Sequence, residues 1–181
     1  MAELKTQTQP RFKKDDAQKQ TVYPPYITSV LTQKVHLSIN EIGKNVKQCL
    51  EQKLIQQNEG KCISQGFIKP NSVSVLNYSS GLIHSPYTEF HVVFECSICY
   101  PVENMLVECT VKTITKAGIH AEVIDNDIVS MVVFIAKDHY NTNNYFNSIK
   151  ENAKITVKVI GVRFELNDPY ISVIAELTYD K

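Results

Sequence analysis

From Val107 onward the chain sets an apolar residue at every second position, the period of a strand with one face in a core. Val107, Cys109 and Val111 alternate with Glu108, Thr110 and Lys112, and Ile119, Ala121 and Val123 alternate with His120 and Glu122. Val129, Met131, Val133 and Ile135 form a third inner row. After a polar segment near 141–147 come Ile155, Val157 and Val159, then Ile171, Val173 and Leu177. Five short strands, with the longest insertion between the third and fourth, predict an OB-type barrel. Asp125-Asn126-Asp127 falls between two of them and reads as a turn. It lacks the glycine and the final bidentate carboxylate that a calcium loop needs.

The first half mixes periods. Tyr26 to Leu37, entered through Pro24-Pro25, suits an extended strand. Ser38-Ile39-Asn40-Glu41 has the form of a capping box. Ile39, Ile42, Val46, Leu50 and Leu54 follow at spacings of three and four, the stripe of an amphipathic helix. Asn58-Glu59-Gly60 ends it, with Gly60 placed for a left-handed cap. Strands are predicted around Cys62–Ile68, Val73–Asn77 and Tyr87–Cys99. In the last, Phe90, Val92, Phe94, Cys96 and Ile98 alternate with His91, Val93, Glu95 and Ser97. The fold class expected is α+β: a mixed first domain over 21–103, then an all-β OB-fold barrel over 104–181. Residues 1–20, with Lys13 and Lys14 among them, offer almost nothing to bury and are expected to form a flexible tail.

Lys plus Arg equals Asp plus Glu at 19 each, giving a formal net charge of zero. That balance excludes a protein gripping nucleic acid by bulk electrostatics alone, since such affinity scales with phosphates neutralised. It favours a part that sits on another protein. No run approaches the ~20 apolar residues of a membrane helix, and the start of the chain has no signal-peptide core. Five cysteines without framework spacing suit a reducing compartment. An intracellular protein away from membranes is expected.

Cys96 and Cys99 sit three apart in a predicted strand, so they point to opposite faces. No second pair completes a zinc site, and no helix start would stabilise a thiolate. Structural thiols are therefore expected. His36, His84, His91, His120 and His139 are scattered without a Ser or Cys elbow, and six dispersed glycines make no phosphate loop. Nothing argues for an enzyme, a metal or a cofactor. His120 and Phe134 fall on the face opposite the barrel core, on its second and third strands, where OB barrels present stacking groups to single-stranded nucleic acid. Lys112, Lys116, Lys137, Tyr140 and Arg163 are expected around that face as phosphate partners. The same two rings could instead cover a domain junction or a partner protein.

Several blocks keep a common order: Glu59-Gly60-Lys61-Cys62 through Gly66-Phe67-Ile68, then Pro101-Val102-Glu103, Ala117-Gly118-Ile119, and Val157–Arg163 followed by Asn167-Asp168-Pro169. Together they resemble subunit seven of eukaryotic RNA polymerase II and its archaeal counterpart, from Tyr26 to the C-terminus. The resemblance implies a truncated RNP-like domain followed by an OB domain of the S-one type. It also implies a non-catalytic stalk subunit of a multisubunit DNA-dependent RNA polymerase, docked on the core near RNA exit. A small helical stalk partner would pair with it, and the barrel would meet nascent single-stranded RNA. Gly66, Phe67 and Ile68, with the loop of Gly81, Pro86 and Tyr87, are the docking candidates. The chain would work in nucleus or cytoplasm wherever its polymerase acts, or be packaged in a virion.

The sequence departs from the family in four places. Pro101-Val102-Glu103-Asn104-Met105 lacks the glycine that usually follows the proline, and Asp125-Asn126-Asp127 replaces another. The connection between the third and fourth barrel strands is short for the family, and the tail is extra. A divergent form carried by a large DNA virus with its own polymerase fits this drift. The competing reading is a free-standing OB-fold RNA-binding protein in translation or RNA decay.

Overall fold

The computed structural model describes residues 24–43, 45–137, 146 and 148–178. The expected tail, His139 and Tyr140 lie outside them. β1 (Tyr26–Ser38) leads through a 3-10 turn (Ile39–Glu41) to α1 (Val46–Asn58). β2 (Cys62–Ile63), β3 (Gly66–Ile68), β4 (Ser74–Tyr78), β5 (Leu82–His84) and β6 (Tyr87–Cys99) come next along the chain. These six strands form one antiparallel sheet organised by β6. It pairs with β1 from end to end on one side, and with β5, β4 and β3 in succession on the other.

β7 (Leu106–Ile114), β8 (Gly118–Asp125), β9 (Ile128–Ala136), β10 (Lys154–Arg163) and β11 (Ile171–Leu177) close into a barrel. The order around it is β7-β8-β9-β11-β10, with β9 and β11 parallel and the other neighbours antiparallel. A closed five-stranded barrel of this kind is compatible with an OB-like fold. The alternating apolar residues from Val107 to Leu177 fill its interior, apart from Val129. A register shift between Val123 and Ile124 resets the alternation at the start of β9. Ser130 is therefore buried, and Val129 is only partly covered.

The helix begins later than its apolar stripe predicts. The capping box forms: the Glu41 carboxylate accepts from Ser38 N at 2.8 Å, and Ser38 Oγ accepts from Asn40 N at 3.4 Å. It caps only the 3-10 turn, because Ile42 is extended, and Gly43 and Asn45 disfavour helix before Val46. Ile39 and Ile42 are consequently exposed. The stripe that does pack is Leu50, Leu54 and Asn58, one residue per turn. Gly60 is left-handed (φ 69°), yet its N–H donates to Ile68 O at 2.9 Å rather than closing the helix. The carboxylate of Glu59 instead holds the turn that leads into β4. It accepts from the backbone of Asn71, Ser72 and Val73 at 2.8, 3.0 and 2.9 Å.

β6 serves two cores. Phe90, Val92, Phe94, Cys96 and Ile98 pack with Leu50 and Leu54, whereas Cys99 joins Cys62 and Phe67 in the barrel core. The three-residue spacing of Cys96 and Cys99 thus sends them to opposite sides, as read from the sequence. Backbone bonds tie sheet to barrel: Cys62 N donates to Asp168 O, and Asn167 N to Cys62 O, both at 2.8 Å. Lys69 ion-pairs with Asp125 and lies 4.9 Å from the centre of the Tyr26 ring.

Candidate functional site

His120 on β8 and Phe134 on β9 are direct register partners with ring centroids 4.9 Å apart and planes inclined at 49°. Outward alternation places both on the barrel's outer face, His120 exposed and Phe134 half-buried. The row continues onto β11, where Ile174 pairs with Phe134 and is 55% exposed. Ile174 was missed from the sequence, although the outward positions Ser172, Ile174 and Glu176 showed an apolar residue where a polar one belongs.

Cations flank the row. Lys112 on β7 reaches Glu122 at 3.6 Å, and Arg163 at the end of β10 reaches Glu165 at 3.5 Å. Lys116 lies in the β7–β8 turn and Lys137 just beyond β9. Lys137 N donates to Ala117 O at 3.0 Å, which brings the two to one end of the barrel. Neither is in an ion pair among the described residues. Gly118 makes this closure possible, because a Cβ there would lie 2.2 Å from Ile135 O. Of the seven predicted RNA contacts, six lie on the outer face or its rim. The seventh, Tyr140, is outside the described residues. An aromatic platform with amines beside it can stack a base, worth roughly 1–3 kcal/mol, and pair with phosphate.

The docking candidates divide. Gly66, Phe67 and Ile68 are buried, Phe67 in the barrel core and Ile68 in the sheet core. The side chains of Phe67 and Ile68 are committed to these two cores, which corrects their expected place at a docking tip. Gly66 is left there by necessity: its φ is 125°, and a Cβ would lie 2.4 Å from Cys99 O. Gly81, Pro86 and Tyr87 do sit at an exposed tip, the β5–β6 hairpin. Leu82 and Ile83, missed from the sequence, add the largest apolar exposure there at 59% and 74%. On the outer face of the same tip, Glu89 receives Lys34 at 2.9 Å, His36 at 3.1 Å and His91 at 3.5 Å. The Lys34 ammonium, then His36, hold its carboxyl down at about 2. The Tyr87 ring lies 4.7 Å from that of His36 and 5.9 Å from that of His84.

Burial pushes the thiols of Cys62 and Cys96 up to about 11, and those of Cys99 and Cys109 to about 12. They are kept protonated, as packing groups rather than nucleophiles.

No family model matches the chain. Individual proteins do. A DNA-directed RNA polymerase subunit of Acanthamoeba polyphaga mimivirus is 27% identical over 164 residues, which covers 84% of this chain and 81% of that protein. DNA-directed RNA polymerase II subunit RPB7 of Glycine max is 23% identical over 150 residues, covering 77% and 85%. Subunit 7 of Arabidopsis thaliana RNA polymerase II adds 25% identity over 147 residues, or 75% and 84% of the two chains. The homologues of this chain are thus RNA polymerase subunits. Identities of 23–27% over most of the chain fit a divergent, virus-type counterpart of subunit seven.

The two segments where the resemblance led a glycine to be expected contain left-handed residues. Asn104 stands at φ 67°, and Asn126 and Asp127 at 49° and 64°. After glycine, Asn and Asp enter this region most readily.

Proposed function

We propose that the chain is a non-catalytic stalk subunit of a multisubunit DNA-directed RNA polymerase. In this reading residues 21–103 form a truncated RNP-like docking domain and residues 104–181 an S-one type OB domain. Docking on the core near RNA exit uses the hairpin tip of Gly81, Leu82, Ile83, Pro86 and Tyr87. The barrel face of His120, Phe134 and Ile174, with Lys112, Lys116, Lys137 and Arg163, meets nascent single-stranded RNA. A small helical stalk partner lies across the junction. A groove of about 670 Å³ runs there between Tyr26, Lys69, Val107 and Ile124. The chain works wherever its polymerase does, packaging in a virion included.

The observation that carries this reading is the extent of the similarity: three polymerase subunits align over three quarters or more of the chain. A tip with two large aliphatic side chains mostly in solvent supports docking, since such exposure marks interaction surfaces. The stacking face favours a second reading, a free-standing RNA-binding module, which would show RNA affinity by itself, weakening with salt.

Two tagged variants test the proposal. Leu82→Asp with Tyr87→Asp should lose the large polymerase subunits while remaining folded. His120→Ala with Phe134→Ala should keep them and lose crosslinks to the emerging transcript. A tip variant that retains polymerase in wild-type amount would refute the docking surface. Ribosomal or RNA-decay proteins recovered with the wild-type chain would replace the stalk reading with the second one.

A further inference from the structure

Sterics hold two of the glycines in place: a Cβ at Gly118 would lie 2.2 Å from Ile135 O, and one at Gly66 2.4 Å from Cys99 O. Gly161, within β10, is under no such demand. A Cβ there would meet nothing within 4 Å, and its φ lies outside the left-handed region. The adjoining bulge, between Val159 and Gly161, is therefore not the type built on a left-handed glycine. Inside a strand glycine is destabilising, and it marks places where a ligand or another backbone comes close. Register puts Gly161 in the same outward row as the stacking pair. His120 pairs with Phe134, Phe134 with Ile174, and Ile174 with Gly161, on four neighbouring strands of the barrel. Ile174 is 55% exposed and Ile160, at the bulge, 45%. Arg163 faces outward two residues further along β10, opposite Ser172, with its side chain 84% exposed.

We propose that Gly161 is the floor of a second base subsite, where a base of single-stranded RNA lies on bare backbone beside the side chains of Ile174 and Ile160. The inference rests on the reading of the barrel face as an RNA contact, and adds the path of the strand beyond the His120–Phe134 pair. Neighbouring strands lie about 4.8 Å apart, so Gly161 is about 10 Å around the barrel from Phe134. That is near enough for bases of one continuous strand. Burial of the base against backbone and aliphatic side chains holds it without reading its edges, so the subsite tolerates any sequence. The Arg163 pair with Glu165, at 3.5 Å and in solvent, is weak and gives way readily to a phosphate. A side chain at position 161 would fill the place of the base and leave the fold as it is.

The test is fluorescence anisotropy of the purified full chain with a short, unstructured oligouridylate at constant salt, alongside thermal unfolding. Gly161→Val, whose branched side chain suits a strand, should unfold at the wild-type temperature or above it. It should bind RNA about tenfold more weakly, toward the low end for a base contact because no aromatic ring takes part. Gly161→Ala should fall between the two. Wild-type affinity in Gly161→Val, with binding lost in His120→Ala with Phe134→Ala, would overturn the subsite and leave the stacking face in place. A lower unfolding temperature for Gly161→Val would also overturn it, by showing that the fold requires the glycine. No binding by the wild-type chain, or full binding by the double variant, would overturn the RNA-contact reading itself and this inference with it.

Discussion

At the scale of single residues, the chain uses asparagine where a left-handed turn is required. Asn104 at φ 67° is the clearest case, following Pro101 at the passage from β6 to β7. A β-carbon without a compensating side-chain amide is strained in this region. Asn104→Ala should cost about 1 kcal/mol, whereas Asn104→Gly should be close to neutral. Chemical denaturation of the two variants checks this; equal destabilisation would show that the Asn104 side chain matters for something other than the turn. The thiols give a pH prediction. A free thiol ionises at about pH 8.5, but four here keep their protons to about 11–12. Above pH ~9 the unfolded chain therefore binds fewer protons than the folded one, and stability falls as pH rises. The denaturation midpoint under reducing conditions should hold steady below that point and decline toward about pH 11. Cys49, half-buried, should be the first of the five to react with a thiol reagent.

At the scale of elements, legibility follows burial geometry. The barrel strands were readable because each has one wet and one dry face, and the alternation of Val107, Ile119, Met131, Val157 and Ile171 records it. β3 falls within the strand predicted around Cys62–Ile68, but with all three of its residues buried it has no period to tell a wet face from a dry one. Without that period nothing marked Phe67 and Ile68 as buried rather than available for docking. The His120–Phe134 pair was found by outward alternation and the tip from the resemblance, but the tip's Leu82 and Ile83 were not singled out, since they sit in a three-residue strand too short to show a pattern. The helix start was misplaced because an apolar stripe counts spacings and ignores Gly43. Leu54→Ala, at a fully buried position, should cost about 2–5 kcal/mol. Ile39→Ser, at a position 53% exposed, should stay within about 0.5 kcal/mol of wild type. Similar losses from both, measured by thermal or urea unfolding, would restore Ile39 to the core.

At the scale of the whole molecule, sheet and barrel meet along a seam. β6 packs one core with Phe90 to Ile98 and enters the other with Cys99, while Phe67 fills the barrel from the sheet side. The Cys62–Asp168 and Asn167–Cys62 backbone bonds and the Lys69–Asp125 pair close the seam. The β5–β6 hairpin tip and the His120–Phe134 face of the barrel are therefore held in fixed relation, as the proposed docking and transcript contacts require. The central claim is membership of a polymerase, and native affinity purification of the tagged chain from its own cell or infected host, with quantitative mass spectrometry, tests it most directly. The large polymerase subunits are expected in near-equal amount to the chain. Intact polymerase recovered without it, through one of the large subunits, would contradict the account.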